Sequence, residues 1–404
     1  MVQEFRSLEV KRFENEMLIQ RFFMCINRLT GKSELEQQPG TLNGEPLNVY
    51  LLRGRLVRKS SRIITIVSVL GVLAMLVPLE ASQTGGLPGA YLQPSLGASA
   101  LAMGGAYTAT PESFTSWWNP GMLANIKGKR VSGGIGMRSL GRTDLYAAAE
   151  FRVPPRLGMG LLFLYRGDPF INDLYDENEK PIGDARYTTF TGKVSLSYIV
   201  TRKLGVGVNI NILHQRLPTS SNDGLVGYSS TTSIGAVDIG VEYKASDKLS
   251  LALTGRNLGA AFVWETENGY YIASDDRPLP KLTVGAKYTV ELLKKPLLWR
   301  ADLMGHLFDG KFNKLDRPQA QFCMGWEWQY WERLFLRAGI GDILFNGDMV
   351  KDPRRYRDES SMRVSLGCAF DASKRVKGLK INYGVSTDKV WAGLDHQLDC
   401  IYTF

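Results

Sequence analysis

The chain has 404 residues, with 42 glycines, 10% aromatic residues, three histidines and a formal net charge of +9. Its mean hydropathy of −0.13 excludes a bundle of membrane helices, but not a wall of transmembrane strands, which need an apolar residue only at every second position. The positive excess is mild and scattered, and no nucleic-acid-binding motif accompanies it, so no nucleic acid partner is expected.

Residues 1–56 read as an N-terminal extension of mixed charge, with a short helix predicted around Phe13–Leu29. Either the reading frame begins too early and the true start lies near Leu56 or Val57, or a cytoplasmic extension precedes the next segment. Residues 57–81 read as a signal peptide. Arg53, Arg55, Arg58, Lys59 and Arg62 lead into the apolar run Ile63–Leu79, and small residues Ala81 and Ser82 follow. Basic, apolar and small residues in that order are the parts of a secretory signal. A transmembrane anchor is the alternative, but the run is near the lower limit for spanning and contains Gly71 and Pro78. No cysteine sits near the cleavage point, so a lipoprotein anchor is not expected. Past cleavage Cys323, Cys368 and Cys400 remain of four cysteines. An odd number, far apart and inside strand patterns, predicts packing residues rather than a disulfide framework.

Residues 82–129 read as a periplasmic hatch or plug. The stretch lacks a strand period, is rich in Gly, Ala, Ser and Thr, and contains Gly104-Gly105, Trp117-Trp118 and Asn119-Pro120-Gly121. Glycine permits close backbone packing, and Asn-Pro-Gly marks a turn. A segment of this size is expected to fold back into a wide barrel and block it.

Residues 130–404 are predicted to be all-β, a transmembrane antiparallel barrel of about fourteen strands. Segments of about ten residues alternate apolar and polar between turn residues, as membrane-spanning strands do. The predicted strands are 130–138, 143–152, 157–166, 187–200, 203–214, 231–244, 248–257, 281–289, 298–307, 319–330, 333–341, 361–371, 378–387 and 393–404. In one, Met362, Val364, Leu366, Cys368 and Phe370 share a face opposite Ser361, Arg363, Ser365, Gly367 and Ala369. Connections after even-numbered strands are short, including Leu292–Leu297, whereas most of those after odd-numbered strands are longer. Short periplasmic turns and longer outer loops are expected of an outer-membrane barrel. Each even-numbered strand also ends with an aromatic on its apolar face: Phe151, Tyr198, Tyr243, Tyr288, Trp328 with Tyr330, Phe370, and Tyr402 with Phe404. Such a ring reads as the aromatic girdle at the periplasmic interface, in contact with outer-membrane lipids. The terminal Phe404 resembles the signal by which barrel-assembly machinery recognises its clients.

The polar faces are expected to line the lumen. They carry Arg138, Arg152, Arg166, Lys193, Lys287, Arg300, Arg337, Arg363 and Lys380 against Glu150, Asp238, Glu242, Asp302, Glu327, Asp395 and Asp399. Charges of both signs at low dielectric should pair, as a network holding wall and plug or as a selectivity lining. Asp168, Asp173, Asp176, Glu177 and Glu179 fall in one outer loop, whose spacing fits no EF-hand, so a solvated acidic loop is expected rather than a calcium site. His214, His306 and His396 lie near outer strand ends. No nucleophile is placed beside them by the sequence, and neither a cofactor nor an enzymatic role is expected.

Leu96-Gly97-Ala98, Ala102-Met103-Gly104-Gly105-Ala106-Tyr107 and Trp118-Asn119-Pro120-Gly121-Met122-Leu123-Ala124 resemble the N-terminal hatch of the PorV/PorQ group among the FadL-like outer-membrane barrels. Asn257-Leu258-Gly259 and Pro278-Leu279-Pro280 resemble that group too. Met103, Gly104, Gly105, Ala106, Asn119 and Pro120 match its hatch motif, but the family's Ala-Gly after Asn-Pro is Gly121-Met122 here. The resemblance implies one of two roles. PorV-like members serve a type IX secretion system and its cargo proteins, which is the role expected here. FadL-like members pass hydrophobic solutes inward, which is the alternative.

The signal reading carries its own test. N-terminal sequencing of the protein extracted from outer membranes should start near Ser82; an intact Met1 would refute it.

Overall fold

The computed structural model describes residues 89–404 apart from 110, 169–170, 176–179, 221–225, 267–270, 273–275, 279, 307–319, 346–361 and 389–392. The predicted extension and signal, and residues 82–88 of the expected plug, lie outside the described residues.

The strands are β1 (Lys129–Met137), β2 (Thr143–Val153), β3 (Leu157–Gly167), β4 (Ile171–Tyr175), β5 (Pro181–Ala185), β6 (Thr188–Ile199), β7 (Leu204–Ser220), β8 (Val226–Lys244) and β9 (Leu249–Leu258). They continue as β10 (Trp264–Thr266), β11 (Tyr271–Ile272), β12 (Lys281–Leu292), β13 (Lys295–His306), β14 (Ala320–Gln329), β15 (Leu334–Phe345), β16 (Arg363–Asp371), β17 (Leu379–Thr387) and β18 (Leu394–Thr403). Fourteen of them form a closed antiparallel ring: β1, β2, β3, β6, β7, β8, β9 and then β12 to β18, which returns to β1. Closure pairs Arg130 with Thr403 and Met137 with His396. A closed ring leaves no sheet edge, so every wall strand is hydrogen-bonded on both sides, as a bilayer requires.

All fourteen predicted strands are present, each close to its expected bounds. The differences lie at the ends. β7 and β8 pair beyond the expected limits, with Ser220 opposite Val226, and β10 and β11 add to the outer part of β8. A separate hairpin, β4 with β5, occupies the connection from β3 to β6. The turn expected at Leu292–Leu297 is tighter, because only Leu293 and Lys294 separate β12 from β13. Both have positive φ, 54° and 62°, the backbone of a type I′ two-residue turn. Without Asn or Gly there, the sequence carried no sign of it.

Alternation along the wall sets two faces. In β16, Leu366 is 54% exposed on the outside of the ring and Ser365 is 2% exposed inside. Leu145, Leu161, Val194, Ile210, Leu253, Val284 and Leu398 are likewise exposed on the outer face. An outward band of this composition is stable against lipid rather than water, and the protein is an outer-membrane barrel. No described helix is long and apolar enough to cross a membrane.

Parity makes neighbours in one strand respond oppositely. Leu366→Arg should impair insertion, since Arg facing lipid costs roughly 2–4 kcal/mol at mid-bilayer. Ser365→Arg, facing the lumen, should be milder. Heat-modifiable gel migration after refolding into lipid reports both, and equal tolerance would contradict the face assignment.

Candidate functional site

Inside the ring lies the segment 89–126. It has little regular structure: helices α1 (Ala98–Ala102) and α2 (Thr115–Trp118), with 3-10 turns at Ala90–Leu92 and Pro120–Asn125. Gly and Pro interrupt any longer helix. The expected Asn-Pro-Gly turn is the start of the second 3-10 turn, where Asn119 caps it by accepting from the Gly121 N–H at 3.0 Å and Pro120 occupies the first turn.

The segment packs on the wall backbone to backbone, and wall glycines permit it. A Cβ on Gly207 would fall 2.5 Å from the carbonyl of Pro120, and one on Gly240 only 2.2 Å from Asn119 Oδ1. Across the lumen, a Cβ on Gly339 would meet Met103 C at 2.2 Å, and one on Gly384 would meet the Ala98 carbonyl oxygen at 2.3 Å. Gly104 of the hatch motif, at φ 66°, lies against the backbone of Ile340 in the same way. Met103 and Ala106 are buried beside it, and Gly105 continues the turn at φ 87°.

Short helices leave many N–H groups unmet within the segment, and wall side chains meet them. Asp399 accepts from the Ala98 N–H at 2.6 Å. Asp302 accepts from the Tyr107 and Thr108 N–H groups, each at 2.9 Å. Glu150 accepts from the Ser116 N–H at 3.1 Å. Carbonyls are met by donors: Asn209 to Ser116 at 2.6 Å, Gln397 to Ser95 at 3.0 Å, and Arg166 to Tyr91, Pro94 and Ser95.

The predicted lumen charges fall into separate groups. Arg138 and Arg166 both face Asp144, which was not among the predicted residues. Arg363 pairs with Asp342 at 2.7 Å. Asp395 accepts from the Ser139 N–H at 2.9 Å near the outer rim. Lys193 pairs with Asp238 at 2.5 Å, and Asn209 and Asn211 also donate to that carboxylate. Glu327 pairs with Arg337 at 2.5 Å. Arg337 also meets Glu112, whose carboxylate further engages Lys380 at 2.7 Å and Arg300 at 3.8 Å. Burial opposes charge on Glu112, but Lys380, Arg337 and Arg300 together hold its carboxyl well below the usual carboxylate range. Glu112 was missed because it sits in a segment with no period to assign it a face. Arg152, expected inside, is exposed at the periplasmic rim and donates to the Pro155 carbonyl.

The lumen is also less polar than expected. Tyr146, Ala148, Leu162, Leu164, Leu213 and Ala236 are buried inside one stretch of wall and, with Phe262 of the β9–β10 connection, cluster with Tyr91, Leu92, Trp117 and Trp118. Each fully buried large apolar side chain there contributes roughly 1.5–3 kcal/mol. The signal was present in β3: Leu161-Leu162-Phe163-Leu164 is apolar on both faces, the mark of a strand covered on both sides. Trp117 lies under Lys193 at 5.0 Å and Arg166 at 5.6 Å, and Tyr107 under Arg300 at 4.4 Å.

The predicted aromatics all stand on the outer side of the wall at one end of the ring, the end where β1 begins and β18 finishes. Tyr198, Tyr243, Tyr288, Phe370 and Phe404 are exposed, and Phe151, Trp328 and Tyr402 are half-buried. His214 and His396 face outward and contact Thr232 and Tyr383 at 2.9 and 2.8 Å. The side chain of His306 and most of the acidic loop lie outside the described residues. Among the described residues, no cluster that would hold a metal is present and no disulfide is formed, with Cys323 buried, Cys368 half-buried and Cys400 exposed.

No protein-family model matches the chain, and no curated protein matches its sequence. Solved structures do match its fold. The toluene transporter TbuX of Ralstonia pickettii aligns over 77% of this chain and 98% of its own, with TM-score 0.52 and 14% identity. The CymD monoaromatic hydrocarbon channel aligns over 77% and 98%, with TM-score 0.52 and 13% identity. The toluene transporter TodX of Pseudomonas putida aligns over 76% and 96%, with TM-score 0.50 and 13% identity. The chain therefore shares its fold with these hydrocarbon transporters and channels; the PorV/PorQ assignment finds no support among them.

Seating on glycine gives a paired test. Gly339→Leu should displace the inner segment by overpacking, at about 1–3 kcal/mol. Gly305→Ala, where a Cβ meets nothing within 4 Å, should leave it seated. Single-channel conductance in planar bilayers should rise for Gly339→Leu alone; unchanged conductance in a folded Gly339→Leu barrel would refute the seat.

Proposed function

We propose that this barrel carries hydrophobic small molecules across the outer membrane, with segment 89–126 as its plug. The observation that carries this reading is the inward apolar stripe formed by Leu162, Leu164 and Leu213, with Phe262 of the β9–β10 connection beside it. A lumen for polar solutes has no use for buried leucines on its inner face, and a permanently structural plug could be held by polar contacts alone. In the resting state Leu92, Trp117 and Trp118 cover the stripe, so passage requires these side chains to move aside. The shared fold with hydrocarbon channels supports the same reading.

The secretion role implied by the hatch motif makes a different demand: an exported protein has to reach the periplasmic or outer face, and the apolar stripe has no part in that. Expression in a Gram-negative host lacking its own hydrocarbon channels separates the two. Uptake of radiolabelled toluene should exceed that of empty-vector cells, and Leu164→Asp should abolish the excess while the barrel stays heat-modifiable. Uptake equal to the empty vector, together with loss of surface-attached proteins when the native gene is deleted, would favour secretion.

A further inference from the structure

Six short connections join wall strands at the end of the ring where β1 begins and β18 finishes: β2–β3, β6–β7, β8–β9, β12–β13, β14–β15 and β16–β17. Each comes just after a girdle aromatic, and each carries a cation in the turn or at its edge. Arg152 and Arg156 follow Phe151, and Arg202 and Lys203 follow Tyr198. Lys248 follows Tyr243, and Lys294 follows Tyr288. Arg333 follows Trp328 and Tyr330, and Lys374, Arg375 and Lys377 follow Phe370. At the seam the Phe404 N–H donates to the Lys129 carbonyl at 2.9 Å, which sets exposed Lys129 beside the last girdle aromatic.

These cations are exposed, apart from half-buried Arg333, and among the described residues none of them pairs with a carboxylate. Asp247, Glu291, Glu332 and Asp371 stand in or beside the same turns, too few to balance them, and Asp371 accepts from the Ser373 N–H at 2.9 Å. Toward the opposite end, by contrast, Arg138 and Arg142 are matched by Asp144 and Asp388. A ring of like charge repels itself, and a surface of fixed negative charge laid against it relieves that repulsion. Three turn tips also expose apolar side chains: Leu293, Val376 and Trp331, the last at 62%. A tip that meets only water gains nothing from them. Apolar and aromatic side chains set among cations suit the head-group zone of a bilayer, where the apolar bodies sink toward the acyl chains and the charges meet phosphate.

Outer-membrane barrels turn their short connections toward the periplasm, so the leaflet that meets these turns is the phospholipid one. From this placement we infer that the short turns form a docking ring for anionic phospholipid. Its densest parts are the β6–β7 turn, with Arg202 and Lys203 and no carboxylate, and the β16–β17 turn, with Lys374, Arg375 and Lys377. The exposed tips favour a lipid surface over an acidic protein, because a bilayer takes up Trp331 and Leu293 as well as the charges. The ring uses no residue of the lumen, so it stands whether or not the barrel conducts hydrocarbons.

Native mass spectrometry of the full-length barrel in non-ionic detergent, titrated with phosphatidylglycerol or with phosphatidylcholine of the same acyl chains, tests it. The parent protein should retain phosphatidylglycerol in preference to phosphatidylcholine. Replacing Lys374, Arg375 and Lys377 together by serine should weaken phosphatidylglycerol binding by at least about tenfold, since one Lys or Arg near an anionic surface is worth roughly fivefold. Arg202→Ser with Lys203→Ser, in a second turn, should weaken it as well. Arg142→Gln, at the opposite end, should keep the parent preference. Heat-modifiable migration confirms that each variant is a closed barrel. Equal retention of the two lipids by the parent, an undiminished preference in both turn variants, or an equal loss in Arg142→Gln would each overturn the proposal. So would parent binding of poly-glutamate with no preference between the lipids, which would assign the ring to an acidic protein.

Discussion

The structure depends on direct contact between the backbone of the inner segment and the backbone of the wall. Where a wall strand presents an ordinary side chain inward, that side chain would hold the inner segment several ångströms away and leave space for water. Glycine at Gly207, Gly240, Gly339 and Gly384 removes the spacer. The main chains then meet at van der Waals distance around the lumen, and the segment is clamped from opposite sides. Strand-interior glycine weakens a sheet, but in a closed ring each wall strand is bonded to two neighbours, and the loss is offset by contact with the inner segment.

That seat explains the inward carboxylates. A segment with four short helical pieces buries more N–H groups than it can satisfy internally, and a bilayer-enclosed lumen offers little water to replace the missing acceptors. Asp302, Asp399 and Glu150 are those acceptors. A carboxyl group offers two acceptor oxygens on one side chain, which suits a wall that has to hold an irregular chain in one place. Most predicted lumen charges are therefore bound to the inner segment or to one another.

How much was legible in the sequence follows from which solvent wrote the pattern. Lipid demands apolar residues at every outward position, so Leu366 and Leu398 declared their faces and the fourteen strands could be placed by parity. The lumen makes no uniform demand. Ser365 and Leu164 both point inward, and their surroundings decide which is polar: Ser365 donates to Ser386 of the wall, whereas Leu164 joins the apolar cluster with the inner segment. Period alone cannot reveal that Glu112 reaches Arg337 and Lys380, since those residues are 225 and 268 positions away. The outer hairpin β4 with β5 and the tight turn at Leu293-Lys294 were also hidden, the first in a loop without alternation and the second without a turn residue.

Gly121-Met122 stands where the PorV/PorQ hatch motif that this stretch resembles carries Ala-Gly. A Cβ on residue 121 would sit 2.6 Å from the Gly240 carbonyl oxygen, so in this barrel alanine cannot occupy that position without moving the inner segment. The same demand comes from the wall: a Cβ on Gly205 would fall 2.5 Å from the Gly121 carbonyl oxygen. The contact is therefore reciprocal, and the inner segment, β7 and β8 each carry glycine where their backbones touch.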